Sequence, residues 1–402
     1  MAAIKIKDGV YSVGALNPNM RIFDVIMRTD YGTSYNSFLI KSEKTALLET
    51  VHERFFGEYI ENISSITDPT KIDYLIMNHN EPDHSGSLRK LLEKAPQLQV
   101  ITTQAGALYL KNITNLPDLN IKAVRDGDTL DLGGGKTLKF ITAPFLHWPD
   151  SMFTWLESDK IAFTCDFLGA HYCEPRMFDS LVSYPDSYRD CVLGYYNAIF
   201  GPFKPYVLKG LTKLDALDAE FVCPSHGPVL TKGVMLEEVK KDYLDWSTPA
   251  TREHKYIPIF YCSAYGNTGR LARAMADGIS ETLPDAKVEV LDINANQFTA
   301  LQAKVNSCDA FLVGTPTINR DAVAPVWQLV TAIDAINTKG RKCAAFGSFG
   351  WSGEGVPMIT ERLRSLKLDV FADGYTCRFV PSDDELSGAR DYGKRFAEAM
   401  KG

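Results

Sequence analysis

The chain has 402 residues, 45% of them hydrophobic and 23% charged, the proportions of an ordinary globular protein with length for two or three domains. A net charge of -7 with no basic tract argues against nucleic acid as a partner, and no apolar run approaches the roughly 20 residues of a membrane span. Eight cysteines without a C-x-x-C pair point to reduced, buried thiols.

The N-terminus, "MAAIKIKDGVYSVG", alternates like an edge strand and lacks the apolar core of a signal peptide, so a cytoplasmic protein is expected. Short strands follow in close succession: "SYNSFLI", "TALLET", "KIDYLIM" and "LQVITT", then "TLKFITA", "SMFTWLE" and "KIAFTCD". Helical stretches intervene near 53–65, 85–95 and 186–217. This α+β pattern predicts two packed sheets flanked by helices. Pro249 and Pro258 bracket a polar segment, "LDWSTPATREHKYIP", expected to be a linker. Beyond it strand and helix alternate from "YIPIFYC" and "NTGRLARAMADGISETL" to a last helix. Five βα units predict a parallel, doubly wound sheet. The expected domains are residues 1–250 and 251–402.

The first half carries the more pointed chemistry. In "YLIMNHNEPDHSG", a short apolar strand is followed by His79, Glu81, Asp83 and His84. Taken alone, this is either a polar loop or half a metal site. His147 follows the strand "KFITA", Asp166 ends "IAFTC", and His226 follows "EFVC". Four histidines and three carboxylates at strand-to-loop junctions make the ligand count of a two-metal site with one carboxylate to bridge.

The pattern His-x-Glu-x-Asp-His, then His, Asp and His, resembles the flavodiiron protein family. The resemblance implies a metallo-β-lactamase-like αββα sandwich followed by a flavodoxin-like domain. It also implies that His79, Glu81 and His147 hold one iron, Asp83, His84 and His226 the other, and that Asp166 bridges them. Glu81 stands where hydrolytic zinc relatives usually have His. A hard anionic ligand favours ferric iron, whereas zinc has no redox chemistry, so a zinc hydrolase fused to a flavodoxin-like carrier is the lesser alternative. The chain departs from the family at Asp24 and Val25, where a His–Gly step is common. His171 is either a residue behind the ligands or a core histidine. His52 and His254 are expected at the surface, and Tyr195 and Tyr196 in the core. Cys165 is expected to point away from the site by strand alternation.

In the second half, "YCSAYGNTGRLA" joins a strand to a helix. It offers Ser263, Tyr265, Gly266, Asn267 and Thr268 beside a helix N-terminus, where orphan N–H groups favour a phosphate. The loop resembles the flavodoxin phosphate loop and implies FMN. Two more loops lie at strand ends. One carries Pro316, Thr317, Ile318 and Asn319; the other carries Ser348, Phe349, Gly350, Trp351, Ser352 and Gly353. Trp351 is suited to stack near a flavin ring. No G-x-G-x-x-G follows a strand, and no paired C-x-x-C extension is present. Electrons are therefore expected from another protein, such as rubredoxin, or from reduced deazaflavin. The function implied is reduction of O2 to water, of NO to N2O, or both, in a head-to-tail homodimer or dimer of dimers.

Overall fold

A computed structural model describes residues 3–25, 27–249 and 251–401; Ala250, at the expected domain boundary, lies outside them. The chain divides after Thr248 into two compact units.

The first unit is built on two sheets. One has seven strands in the order Ile4–Lys7, Val10–Ser12, Phe38–Lys41, Thr45–Leu48, Tyr74–Ile76, Gln99–Thr103 and Ile121–Val124. The other has six: Thr129–Asp131, Thr137–Thr142, Met152–Leu156, Ile161–Cys165, Phe221–Pro224 and Leu230–Thr231. Alternation along the strands assigns the faces. Phe38, Ile40, Ala46, Leu48 and Ile76 pack with Phe140, Met152, Ile161 and Phe163 between the sheets. Leu39, Leu47 and Leu75 turn outward onto helix Phe56–Ser64 and its neighbours, meeting Tyr59 and Ile63. Ala162 and Phe153 turn outward on the second sheet, against Tyr188, Val207 and Tyr243 from its helices. The expected αββα sandwich is thus formed.

Between helices Pro185–Tyr195 and Lys204–Asp215 the backbone widens into a π-helical turn, Tyr196–Phe200, followed by a 3-10 turn, Gly201–Phe203.

The second unit is a parallel sheet. Strand Tyr256–Tyr261 lies between Lys287–Asp292 and Ala310–Gly314; Lys342–Phe349 follows, with Asp369–Val370 and Tyr375–Arg378 parallel to it. Helices cover both faces through two apolar clusters, one around Phe311, Val326 and Ile359, the other around Leu271, Met275 and Phe396. This is the flavodoxin-like order. Pro258 falls inside the first strand, as expected of "YIPIFYC". The ladder to Ala310–Gly314 starts only at Ile259, so the missing N–H precedes it. All eight cysteines are free; six are buried, and Cys173 and Cys191 are half-buried.

Candidate metal centre and flavin cradle

The seven residues singled out in the first half converge on one place. His79 leaves strand Tyr74–Ile76, and a one-turn helix, Pro82–Ser85, opened by Pro82, presents Asp83 and His84. His147, Asp166 and His226 come from loops at strand ends of the second sheet.

Asp166 organises the geometry. Its Oδ2 faces His79 Nε2 at 3.7 Å and His147 Nε2 at 3.3 Å. Its Oδ1 faces His84 Nε2 at 3.2 Å and His226 Nε2 at 3.4 Å. Glu81 Oε2 lies 3.3 Å from His79 Nε2 and 3.2 Å from His147 Nε2. Asp83 lies 3.4 Å from His84 Nε2 through Oδ1 and 3.1 Å from His226 Nε2 through Oδ2. Two triads therefore share one carboxylate, one oxygen toward each. Glu81 and His147 are 13% and 11% exposed and form the open side; the other five are 4% exposed or less.

The atoms facing the centre are poorly satisfied by protein. Both oxygens of Asp83, His84 Nε2 and Asp166 Oδ2 are buried without a hydrogen bond. Native proteins rarely leave such lone pairs idle, and a cation between them satisfies all at once. The set of imidazoles and hard carboxylates fits a pair of iron ions.

Charges without a metal are held by protons. Burial pulls the rings of His79, His84 and His147 down. The carboxylates outweigh it: His79 sits well above its ordinary value through Asp150 and Glu81, and His84 is pushed up to about 10 by Asp83 and Asp166. His147 is raised by Asp166 and Glu81. Burial opposes ionisation of Asp83 and Asp166, yet the neighbouring imidazoles hold both low.

Several supporting residues escaped the sequence reading. Asp150, fully buried, takes His79 Nδ1 at 3.2 Å and accepts from the Asn80 backbone N–H at 2.9 Å and its side chain at 2.8 Å. Such a carboxylate fixes the ring and raises its basicity. His226 Nδ1 donates to the Ser34 carbonyl at 2.6 Å. Glu49 and Cys165 each offer an atom within 4.8 Å of a His84 ring nitrogen. Burial pushes the Glu49 carboxyl up to about 8. Cys165, expected to point away from the site, thus lies close to a ligand, at a strand end where its φ is 51°. Tyr195 is buried, as expected of a core residue, but its hydroxyl also donates to Asp166 Oδ1 at 2.9 Å. Tyr196 faces elsewhere, bonded to Ser247 at 2.8 Å. His171 lies against the ligands, 4.9 Å from the His226 ring, with Nδ1 2.8 Å from Thr33 Oγ1. His52 and His254 are exposed. Asp24 occupies the departure from the family pattern. Burial, then the charge of Glu81 and a hydrogen bond to it, push its carboxyl up to about 6, so a carboxyl rather than an imidazole overhangs the open side.

In the second unit a cavity of about 410 Å³ is lined by Tyr265, Asn267, the segment Pro316–Thr317–Ile318–Asn319, and Ser348 to Ser352. That volume suits a cofactor. Helix Asn267–Thr282 opens here, with Gly266 as its N-cap at φ 82°, a conformation glycine adopts without strain. Thr268 is buried and bonds Ser348 at 2.9 Å, tying the phosphate-loop segment to the loop after strand Lys342–Phe349. Ser263 Oγ is buried without a partner. Of the residues expected to hold the cofactor, Ser263, Gly266, Thr268 and Gly353 do not line the cavity. The sequence reading missed Ala264, Arg320 and Phe379, which do line it; the Arg320 guanidinium stands 5.8 Å from the Trp351 ring. Tyr265 is 92% exposed and Trp351 72%, broad aromatic surfaces beside the cradle.

Known proteins share both units. Residues 33–227 match the model of the ODP family beta lactamase, and residues 259–393 match that of flavodoxin. The chain is 59% identical over 400 residues to Flavo-diiron protein FprA2 of Clostridium acetobutylicum, covering 100% of each. It belongs to the flavodiiron protein family. Among flavodiiron relatives, the anaerobic nitric oxide reductase flavorubredoxin of Vibrio vulnificus is 33% identical, over 98% of this chain and 79% of that one. The rubredoxin oxygen:oxidoreductase of Desulfovibrio gigas superposes with a TM-score of 0.69 at 29% identity, covering 99% of this chain and 98% of that one.

Proposed function

We propose that this flavodiiron protein is an FMN- and diiron-dependent oxidoreductase that reduces O2 to water, NO to N2O, or both. The observation that carries the reading is the split of the Asp166 carboxylate between two ligand triads. One triad is His79, Glu81 and His147; the other is Asp83, His84 and His226. FMN fits the cradle around Asn267 and Trp351. The metal pair would supply redox electrons and Lewis acidity, and the flavin would refill it. The relatives named as a nitric oxide reductase and as a rubredoxin oxygen:oxidoreductase support both substrates.

The chain's own residues do the rest. Asp150 and Ser34 hold the rings of His79 and His226, so that little reorganises when the ligands close on a metal. Burial of five of the seven ligands excludes bulk water, while Glu81, His147 and Asp24 border the opening through which a diatomic enters. The electron donor we assign is a small redox protein of the rubredoxin kind or a reduced deazaflavin. We also propose a two-fold, head-to-tail dimer in which each flavin serves the partner's iron.

The test is anaerobic reduction of protein with quantified iron and flavin, followed by O2 or NO. Two irons and one FMN per chain with rapid reoxidation are expected. Two zinc ions and hydrolysis of an ester or lactam, without reoxidation, would overturn the reading.

A further inference from the structure

Reduction of O2 to two waters takes up four protons with four electrons. Coupling of two NO to N2O and one water takes up two of each. Under the function proposed above, protons must therefore reach a pocket in which five of seven ligands are at most 4% exposed.

A second cleft lies close to that pocket. A polar cleft of about 370 Å³ enters the first unit between the hairpin arm at Thr29–Asp30 and helix Pro185–Tyr195. The carboxylates of Asp30 and Asp190 stand at its exposed mouth, and its inner wall is formed by Thr29, His171 and Tyr195. Two of these inner residues carry buried polar atoms with no protein hydrogen bond, Thr29 Oγ1 and His171 Nε2; the residues themselves are 2% and 3% exposed. A buried hydroxyl and a buried ring nitrogen lining one polar cleft are the usual partners of ordered water. The inner end is one hydrogen bond from the metal ligands, because the Tyr195 hydroxyl donates to Asp166 Oδ1. The cleft also approaches a different side of Asp166 from the Glu81–His147 opening, which faces Oδ2.

We propose that this cleft is a solvent inlet. Waters held by Thr29 Oγ1 and His171 Nε2 form a chain from Asp30 and Asp190 to the pocket beside Tyr195. A proton enters the chain at the mouth and another leaves it at the inner end, so no residue along the way gains or loses charge overall. The final acceptor is the substrate oxygen as it is reduced. Gas then enters on the Glu81–His147 side while protons arrive on the other.

Gly194 gives a clean handle. It lines the cleft from the last turn of its helix, is exposed, and a Cβ there meets nothing within 4 Å. Gly194→Phe should plug the cleft without touching a ligand, and Gly194→Ala should leave it open. Thr29→Val keeps shape and removes the hydroxyl. Two readouts are needed. A crystal structure of the iron-loaded protein should show waters on Thr29 Oγ1 and His171 Nε2, lost in Gly194→Phe. Proton uptake during reoxidation of the reduced enzyme by O2, followed with a pH indicator, should slow several-fold in Gly194→Phe and less in Thr29→Val. The solvent isotope effect should rise in parallel, with iron and FMN contents unchanged. A dry inner wall in the wild type, or wild-type proton uptake in both Gly194→Phe and Thr29→Val, would overturn the inlet. A wild-type enzyme that reduces neither gas would overturn the function instead, and the water positions would still decide the inlet.

Discussion

Asp150 touches no substrate, yet it sets the orientation and basicity of His79. Asp150→Asn keeps the shape but weakens the charge-assisted bond to Nδ1. Replacing such a partner typically costs about 10–100-fold in metal affinity. Competition with a chelator should show that loss, while FMN content stays at the wild-type level. A second prediction follows from the protons in the metal-free site. His84 is pushed up to about 10, so at pH 7 its ring carries a proton that a metal must displace, and His79 and His147 are shifted in the same direction. Metal binding should therefore release protons and weaken as pH falls. Calorimetry of metal binding to the metal-free protein in two buffers of different ionisation enthalpy measures the number directly. Equal heats in both buffers would contradict it. The residue scale also shows where sequence stops being legible. Ligands at strand ends betray themselves by type and spacing. Asp150 does not, because a carboxylate serving the far nitrogen of a ring has no fixed distance in sequence from it. Asp150 lies 71 residues beyond His79.

At the scale of elements, the ligands depend on the layer behind them. Phe167 directly follows Asp166 and is fully buried, stacked on Phe153 at 5.5 Å and edge-on to Phe200 at 5.7 Å and Tyr243 at 5.5 Å. Phe167→Ala should cost about 3–5 kcal/mol in unfolding free energy. It should also lower the iron retained after dialysis, since the turn that aims Asp166 loses its backing. Denaturant melts and metal analysis of the same preparations check both. Strand and helix order was readable here because short apolar runs bounded by turn residues mark the strands of the first unit. The form of the interruption within 186–217 was not readable: Gly201, Pro202 and Pro205 mark a break, but nothing local announces a π turn over Tyr196–Phe200 just ahead of it. Pro258 did not hide its strand. A proline signals a break locally, whereas the sheet needs its donor only where a neighbour is already paired.

For the whole molecule, the two chemistries lie in separate units, each with its own core. The proposed dimer makes a complementation prediction. A variant with His79→Ala and Asp166→Ala should keep flavin and lose iron. One with Asn267→Ala and Thr268→Ala should keep iron and hold little flavin. Neither reduces O2 alone. After mixing and subunit exchange, activity should return in proportion to mixed dimers counted by native mass spectrometry. Abundant mixed dimers without activity, at FMN too dilute to refill the weakened site, would refute service across the dimer.

The π-helical turn has a consequence for how this protein can vary. Tyr195 donates to Asp166, and Phe200, five residues later, sets its ring edge-on to His147 at 6.2 Å. Positions five apart diverge by roughly 140° around an α-helix of 3.6 residues per turn, but come back into line across a π turn. Both rings reach the metal pocket only because the turn contains one residue more than an α-helix would use. The segment can therefore change letters, as at exposed Asn197 and Ala198, but not length. Deleting Asn197 would swing everything downstream by about 100° and take Phe200 off His147. In a library of variants, or across related sequences, this stretch should accept substitutions at Asn197 and Ala198 and gaps not at all.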